Sequence, residues 1–195
     1  MEREIRGGIP AEIRADDDGI KVSGYAAVFN EIVEIGDMFR EKIAPGAFKN
    51  AIGRDDVVFL INHEGLPLAR TRSGTLKLEE DKKGLRMSAE LDAQDPDVLR
   101  IVPKMKRGDL DKMSFAFFPV KQEWDDSGDM PLRTLTEVDL HDVSIVTTPA
   151  YEGTDIGLRS LRDHRDEIKR RNFSAAARRV RMKGHLALNE REHGK

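Results

Sequence analysis

The sequence predicts a mainly β protein with helices, an α+β fold in which short helices surround a closed or half-closed β-barrel and a helical, basic C-terminal tail follows it. Two observations predict the body: segments of alternating apolar and polar residues recur between turns rich in Gly and Asp, and only short stretches of helical period separate them. A third observation predicts the tail: a helical pattern, dominated by basic residues, runs from about Ile156 onwards. We therefore predict a β-barrel domain at residues 1–160 and a basic tail, helical or partly disordered, at residues 161–195.

The body begins with a predicted hairpin. The strands "AEIRA" and "IKVSGYAAVF" flank "DDDG", in which Asp-Gly supplies the positive φ of a short turn. In "APGAFKNAIG", Pro45 lies near the start of a helix of about two turns and Gly53 just past its end. The apolar run in "DVVFLIN" predicts a buried strand that leaves His63 at its C-terminal end, where a rigid strand meets a loop.

A second hairpin and a longer helix follow. "GTLKLEE" and "GLRMSAEL" alternate on either side of "DKKG". "DPDVLRIVPKMKRGD" predicts a helix that Asp95 caps, with Pro96 at its first position and Gly108 after its end. Pro103 should bend or break its last turn. The strand "KMSFAFFPVKQEW", the turn "DDSGDM" and "LRTLTEVDLHDVSIVTTP", as two strands or one long bent strand, complete the body.

Composition and charge restrict the class of protein. Because the chain has no cysteine, a disulfide framework and thiolate zinc sites are excluded. It has no apolar run of membrane-spanning length, and "MEREIRGGIP" lacks the apolar segment of a secretory signal, so we predict an intracellular protein with no membrane partner. Residues 161–195 hold 11 Lys and Arg against 5 Asp and Glu, a net of +6, and the other 22 against 31 give the body −9.

The basic tail has several interpretations. A charged helix is commonly a solvated face, and the functional alternatives are a contact arm for a partner or a removable segment. Nonspecific binding of nucleic acid is disfavoured, because Phe173 is the only aromatic residue of the tail and the body is acidic. We therefore predict no specific nucleic-acid partner.

Ser114, in "GDLDKMSFAFFPV", is a candidate nucleophile. Strand alternation puts bulky residues on a core face, namely Met113, Phe115 and Phe117. Ser114 then points to a face kept small, with room for an imidazole and a substrate, although small residues also line tightly packed sheets. A serine hydroxyl becomes a good nucleophile only beside a base, and the base works best when a third group orients it.

The candidate bases are histidines. Of the five, only His63 and His141 belong to the β body. His63 is placed at a strand end, as many catalytic groups are, but a histidine there can also serve only as a hydrogen-bonding partner of a carbonyl.

The segment "LHDVSIV" contains two candidates for the orienting group, His141 and Asp142. Alternation assigns His141 to the core face with Val143 and Ile145, and it puts Asp142 on the face equivalent to that of Ser114. If the two strands are neighbours, Asp142 is better aimed than His141 to join the other two groups. An exposed strand carboxylate would have the same pattern.

Three segments together resemble a known family. "LINHEGLPLARTRSGTLKLEEDKKGL", "KRGDLDKMSFAF" and "LTEVDLHDVSIVTTPAY" are similar to the prohead (capsid maturation) serine proteases of tailed bacteriophages, and the likeness runs from about Gly24 to Leu158. That family is similar in fold to the herpesvirus assembly proteases, whose barrel strands carry the serine and the histidine. The resemblance implies His63 as base and Ser114 as nucleophile, with Asp142 rather than His141 as the third member.

The resemblance also implies a function. Such a serine endopeptidase cleaves scaffold protein, or the scaffold-like segment of the major capsid protein, inside the immature shell in the host cytoplasm, and can cleave itself. The expected partners are therefore the major capsid protein, the scaffold protein and a second copy in a dimer, and no cofactor or metal is expected. One alternative is a non-catalytic component of capsid assembly.

The other alternative is a metallohydrolase that uses His63, Glu64, His141 and Asp142. It is disfavoured because His141 and Asp142 fall on opposite faces of the predicted strand and the chain has no HExxH helix.

Overall fold

The computed structural model describes residues 3–16, 19–148 and 154–193 as a mixed α+β, strand-dominated fold with three helices. The strands are β1 (Glu4–Asp16), β2 (Gly19–Val28), β3 (Val33–Ile35), β4 (Phe39–Ile43), β5 (Val58–Ile61), β6 (Glu64–Arg70), β7 (Leu76–Glu80), β8 (Gly84–Leu91), β9 (Lys112–Asp125) and β10 (Leu132–Val146). The helices are α1 (Lys49–Arg54), α2 (Pro96–Arg107) and α3 (Thr154–His193). Of the described helices, none combines the length and apolarity that crossing a membrane requires.

The strands join in one sheet of order β3-β4-β10-β9-β1-β2-β8-β7, and β5 pairs with β10 and β6. β10 is antiparallel to β9, while its residues 132–135 run parallel to β4 and its residues 142–145 run parallel to β5. Among the described strand pairs none joins β3 to β7, so closure of the sheet into a barrel stays a prediction.

The sheet curls so that β2 approaches β4, although three strands separate them in the sheet order. The Asn30 amide, just after β2, donates to the Ile43 carbonyl of β4 over 2.9 Å. A cavity of about 170 Å³ lies between these strands and the first residues of β1, with Gly7, Gly8 and Phe115 in its lining. The space between β2, β4 and the start of β1 is therefore not fully filled by side chains.

The core lies on the face of β9 that the alternation predicted. Met113, Phe115 and Phe117 are buried, and the Phe115 ring centroid is 5.1 Å from that of Phe117 and 5.5 Å from that of Phe48. The opposite face is covered as well, since Ser114 and Ala116 have no exposed surface.

Several predicted elements are confirmed. β7 and β8 form the hairpin around "DKKG", and β9 and β10 form the long strand pair. β1 pairs with β2 as predicted, and residues 17 and 18 of its turn lie outside the described residues. α2 has Asp95 as N-cap and Gly108 as a left-handed C-cap with φ 79°.

Two details of the predicted elements are wrong and a third is narrowed. Gly53 lies inside α1 rather than past its end, because Pro45 and Gly46 form a turn before the helix and delay its start to Lys49. Pro103 lies inside α2 and does not break it, while a bend at this residue stays a prediction. The predicted loop after His63 is the strand β6, which carries Arg70.

The chain divides between Ile156 and Gly157 into two compact units, Met1–Ile156 and Gly157–Lys195. All strands belong to the first unit and α3 forms nearly all of the second. Within α3, the described side chains at positions 169–171, 178, 179 and 181 are exposed and basic.

Candidate active site

His63 lies at the tip of the hairpin that joins β5 to β6. Ile61 pairs with Glu64, so Asn62 and His63 are the two turn residues, with φ of 51° and 61°. Two positive φ values are the signature of a type I′ turn, whose twist matches that of the strands it joins. Asn is one of the residues that tolerate this conformation best.

The tip of this hairpin is bound to the end of β10. The Asn62 amide donates to the Ile145 carbonyl over 3.0 Å, and the Thr147 amide donates to Asn62 Oδ1 over 3.0 Å. Since β5 also runs parallel to β10 at this point, the position of His63 is fixed relative to β10.

Ser114 lies on β9, between β10 and β1, and pairs directly with Ser144 on one side and Gly7 on the other. Its Oγ is 2.7 Å from His63 Nε2 and 2.8 Å from the Arg6 carbonyl oxygen. A hydroxyl has one proton and donates to one of these acceptors at a time. Donation to Nε2 is the arrangement that general-base catalysis requires.

Asp142 lies on β10 and its side chain is fully buried. Its Oδ1 is 2.5 Å from His63 Nδ1. A carboxylate at this nitrogen favours the tautomer with a proton on Nδ1, which leaves Nε2 free to accept the proton of Ser114. The structure thus brings the three predicted side chains together, with Asp142 at one nitrogen of the His63 imidazole and Ser114 at the other.

His141 is placed differently from the prediction. Alternation predicts the core face for it, with Val143 and Ile145, but its side chain is exposed and its ring stacks edge-on to Phe118, with 6.1 Å between centroids. The β10–β9 register shifts between Leu140 and Asp142, so a β-bulge inserts His141 as an extra residue and changes the alternation. Asp142, not His141, therefore faces His63.

The residues of the metallohydrolase alternative do not converge. His141 and Glu64 are exposed, whereas Asp142 is buried beside His63. Among the residues that the structure describes, no group of three or more His, Asp or Glu side chains has metal-binding geometry.

Two residues that adjoin Asp142 or Ser114 were not predicted from the sequence to belong to the site. The Ser144 hydroxyl lies 2.8 Å from Asp142 Oδ1, and a Cβ at Gly7 would come within 2.7 Å of Ser114 Cβ. The available signals were weak: Ser144 shares the face of Asp142 by alternation, and the Gly7-Gly8 pair in a strand is typical of a close backbone approach.

The other oxygen of Asp142 is nearly unsupported. Among the described residues, Oδ2 has no hydrogen-bond partner, and the Arg3 guanidinium lies 3.8 Å away with a half-exposed side chain. Arg70, at the end of β6, pairs with Asp56 over 2.7 Å rather than with this carboxylate. The hydrogen bonds at Oδ1 are therefore the main support of this buried carboxylate.

A buried ion cluster lies beside the site, on the core side of β1. It consists of Glu4, Arg6, Glu41 and Arg133, whose side chains are at most 6% exposed. Arg6 donates to Glu41 over 2.6 Å and Arg133 donates to Glu4 over 2.7 Å. Burial opposes the charged forms, but the paired charges outweigh it, so the pKa of Arg6 is raised and the pKa of Glu4 is lowered.

Comparison with known proteins finds a matching family model and similar proteins. The model of a family described as caudovirus prohead serine protease matches residues 10–169. The prohead protease of Enterobacteria phage HK97 is 32% identical over 167 residues, which cover 78% of this chain and 69% of that protein. The solved structure of the capsid assembly protease of bacteriophage T4 is 10% identical and has a TM-score of 0.49, covering 76% of this chain and 98% of that one.

Proposed function

The chain belongs to the caudovirus prohead serine protease family, and on that premise we propose that it is a serine endopeptidase that uses Ser114 as nucleophile, His63 as base and Asp142 as orienting acid. The observation that carries the proposal is a single imidazole with the serine Oγ 2.7 Å from one nitrogen and the carboxylate 2.5 Å from the other. A non-catalytic component of the shell would need neither contact.

The proposed reaction is peptide hydrolysis through an acyl-enzyme. Nε2 of His63 takes the proton of Ser114 while Oγ attacks the scissile carbonyl, and the imidazolium then protonates the leaving amine. Water, activated by the same imidazole, attacks the ester and releases Ser114. Asp142 stabilises the imidazolium in both steps, and backbone amides would stabilise the oxyanion.

The proposed substrate is scaffold protein, or the scaffold-like segment of the major capsid protein, cleaved inside the prohead in the host cytoplasm during maturation. Self-cleavage and a dimeric state are further parts of this proposal. We propose the basic tail, residues 161–195, as the contact with capsid or scaffold partners, which its net charge of +6 supports.

We also propose that the β domain is a half-closed barrel. The approach of β2 to β4 and the cavity between these strands and β1 support a sheet that curls back on itself with one opening.

The test is co-expression with the major capsid protein and the scaffold protein, followed by gel and mass analysis. Wild type should cleave one of them, and Ser114→Ala should lower the rate on the order of 10³-fold or more with an unchanged fold, because the three groups act as a unit. Ser88→Ala is the matched control, since Ser88 is half-buried on β8, which β1 and β2 separate from β9.

Equal processing by wild type and Ser114→Ala would refute the protease proposal and favour the non-catalytic component. For self-cleavage, the purified wild-type protein should lose mass from 22.0 kDa on incubation at high concentration, and Ser114→Ala should not.

A further inference from the structure

Ser144 has no role in the mechanism above, yet it contacts two of its members. It lies on β10 directly opposite Ser114, and its side chain has no exposed surface. Its Oγ is 2.8 Å from Asp142 Oδ1, 3.2 Å from the His63 backbone nitrogen and 3.2 Å from His63 Nδ1.

The hydrogen bonds of Ser144 can be assigned from its neighbours. The His63 amide is a donor, and in the required tautomer Nδ1 also carries a proton. Asp142 Oδ1 can only accept, so the single proton of Ser144 goes to the carboxylate while its lone pair accepts from the His63 amide. Ser144 thereby ties the carboxylate to the backbone of the hairpin that carries the imidazole.

This link matters because Asp142 is buried with few donors. Oδ1 receives hydrogen bonds from His63 and Ser144, and among the described residues Oδ2 receives none. A buried carboxylate that lacks donors is free to rotate and is costly in free energy. Ser144 therefore supplies one of two hydrogen bonds that hold the orienting group in place.

We propose that Ser144 is a positioning residue for the hydrolysis, which holds the Asp142 carboxylate and the His63 backbone in the relative positions that aim Nε2 at Ser114. The inference rests on the proposed function. Ser144 would be a fourth side chain of the site, one that does not touch the substrate and acts through the Asp142 carboxylate.

The test measures labelling of Ser114 by a fluorophosphonate in the full-length protein, since this probe needs an activated serine but no known cleavage site. The second-order rate constant is followed through the range in which histidine titrates, about pH 5 to 8. Ser144→Ala should lower it about tenfold, the usual effect of one hydrogen bond to a charged group. The pH profile should change as well, because the carboxylate that orients the imidazole has lost one of its two hydrogen bonds.

Further variants separate positioning from packing. Ser144→Thr keeps the hydroxyl and should restore both the rate and the profile, whereas Ser88→Ala should change neither. In the Asp142→Asn background, Ser144→Ala should have a much smaller effect, because its route of action is already lost. If Ser144→Ala does not fold, Ser144→Cys replaces it under the same criteria, since it keeps the volume and has only a weak donor.

The outcomes are distinguishable. If Ser144→Ala lowers the melting temperature but labels at the wild-type rate with the wild-type profile, Ser144 only packs and the inference is wrong. The same conclusion follows if Ser144→Thr labels as slowly as Ser144→Ala. If wild type and Ser114→Ala label equally, the proposed function itself fails.

Discussion

At the residue scale, the site depends on backbone conformations that side chains rarely adopt. Asn62 and His63 both have positive φ, which costs roughly 1–2 kcal/mol for a residue with a Cβ. Three contacts offset this cost: the Asn62 and His63 amides donate to β10, and the Asn62 side chain accepts from Thr147, just after β10. The hairpin thus aims an imidazole that an ordinary strand end would leave free to move.

Gly7 controls the space beside Ser114, and its substitution gives a prediction at this scale. A Cβ there would lie 2.7 Å from Ser114 Cβ and 2.8 Å from both Ser114 Oγ and the Met113 carbonyl. Gly7→Ala should therefore push β1 away from β9. We expect a loss of about 1–3 kcal/mol in the free energy of unfolding in urea, which is typical of overpacking. Fluorophosphonate labelling of Ser114 should also fall.

Gly53→Ala is the matched control. Gly53 lies inside α1, and a Cβ there would meet no atom within 4 Å. This change should raise stability by about 0.5–1 kcal/mol, because alanine loses less conformational entropy in a helix. If Gly7→Ala were as stable and as reactive as wild type, the close approach of β1 to Ser114 would not be essential.

The residues of the candidate site could be predicted only where the alternation of the strand is unbroken. From Asp142 to Ile145 the alternation is regular, so the sequence alone put Asp142 on the same face as Ser144. One residue earlier it fails, because a β-bulge leaves no mark in a single sequence. The catalytic roles of His63, Ser114 and Asp142 stay a prediction that their proximity supports.

At the element scale, local signals explain which strands and helices could be predicted. α2 carries Asp95, Pro96 and Gly108 at its ends, and its apolar face is buried, which keeps it continuous across Pro103. β3 and β4 have no such local signal, since β4 is set by parallel pairing with β10, almost a hundred residues further along the chain. β6 contains Gly65 and Pro67, which are typical of a loop, and pairing with β5 overrides that preference.

The ion cluster links elements that are distant in sequence, and it gives a prediction at the element scale. Arg133 of β10 donates to Glu4 of β1 and Glu41 of β4, and its side chain is fully buried. Arg133→Met would leave both carboxylates buried with only Arg6 as a cationic partner in the cluster. We expect a loss of about 3–5 kcal/mol in the free energy of unfolding in urea, the usual result of removing one member of a buried ion pair.

Arg86→Met provides the control, because Arg86 pairs with Glu79 on the surface, where both side chains are at least half exposed. Exposed pairs contribute less than about 1 kcal/mol. Similar losses of unfolding free energy in the two variants would show that burial does not increase the contribution of the cluster to stability.

At the scale of the whole molecule, charge is separated along the chain. The body has a net charge of −9 and residues 161–195 have +6, and the basic side chains of Arg178, Arg179 and Arg181 are exposed on α3. A helix with such an excess of positive charge is suited to contact with an acidic partner, and the proposed partner is the capsid or scaffold protein.

The final prediction separates the proposed catalysis from the proposed partner contact of the tail. Changing Arg178, Arg179 and Arg181 together to Gln keeps the helix propensity and removes three charges. At about 0.5 kcal/mol for each exposed charge, the amount of protein that co-sediments with co-expressed proheads should fall about tenfold. Fluorophosphonate labelling of Ser114 should not change. The same three residues changed to Lys keep the charge and should co-sediment like wild type. Retention of the Gln variant at the wild-type level would mean that the tail charges do not hold the protein in the shell.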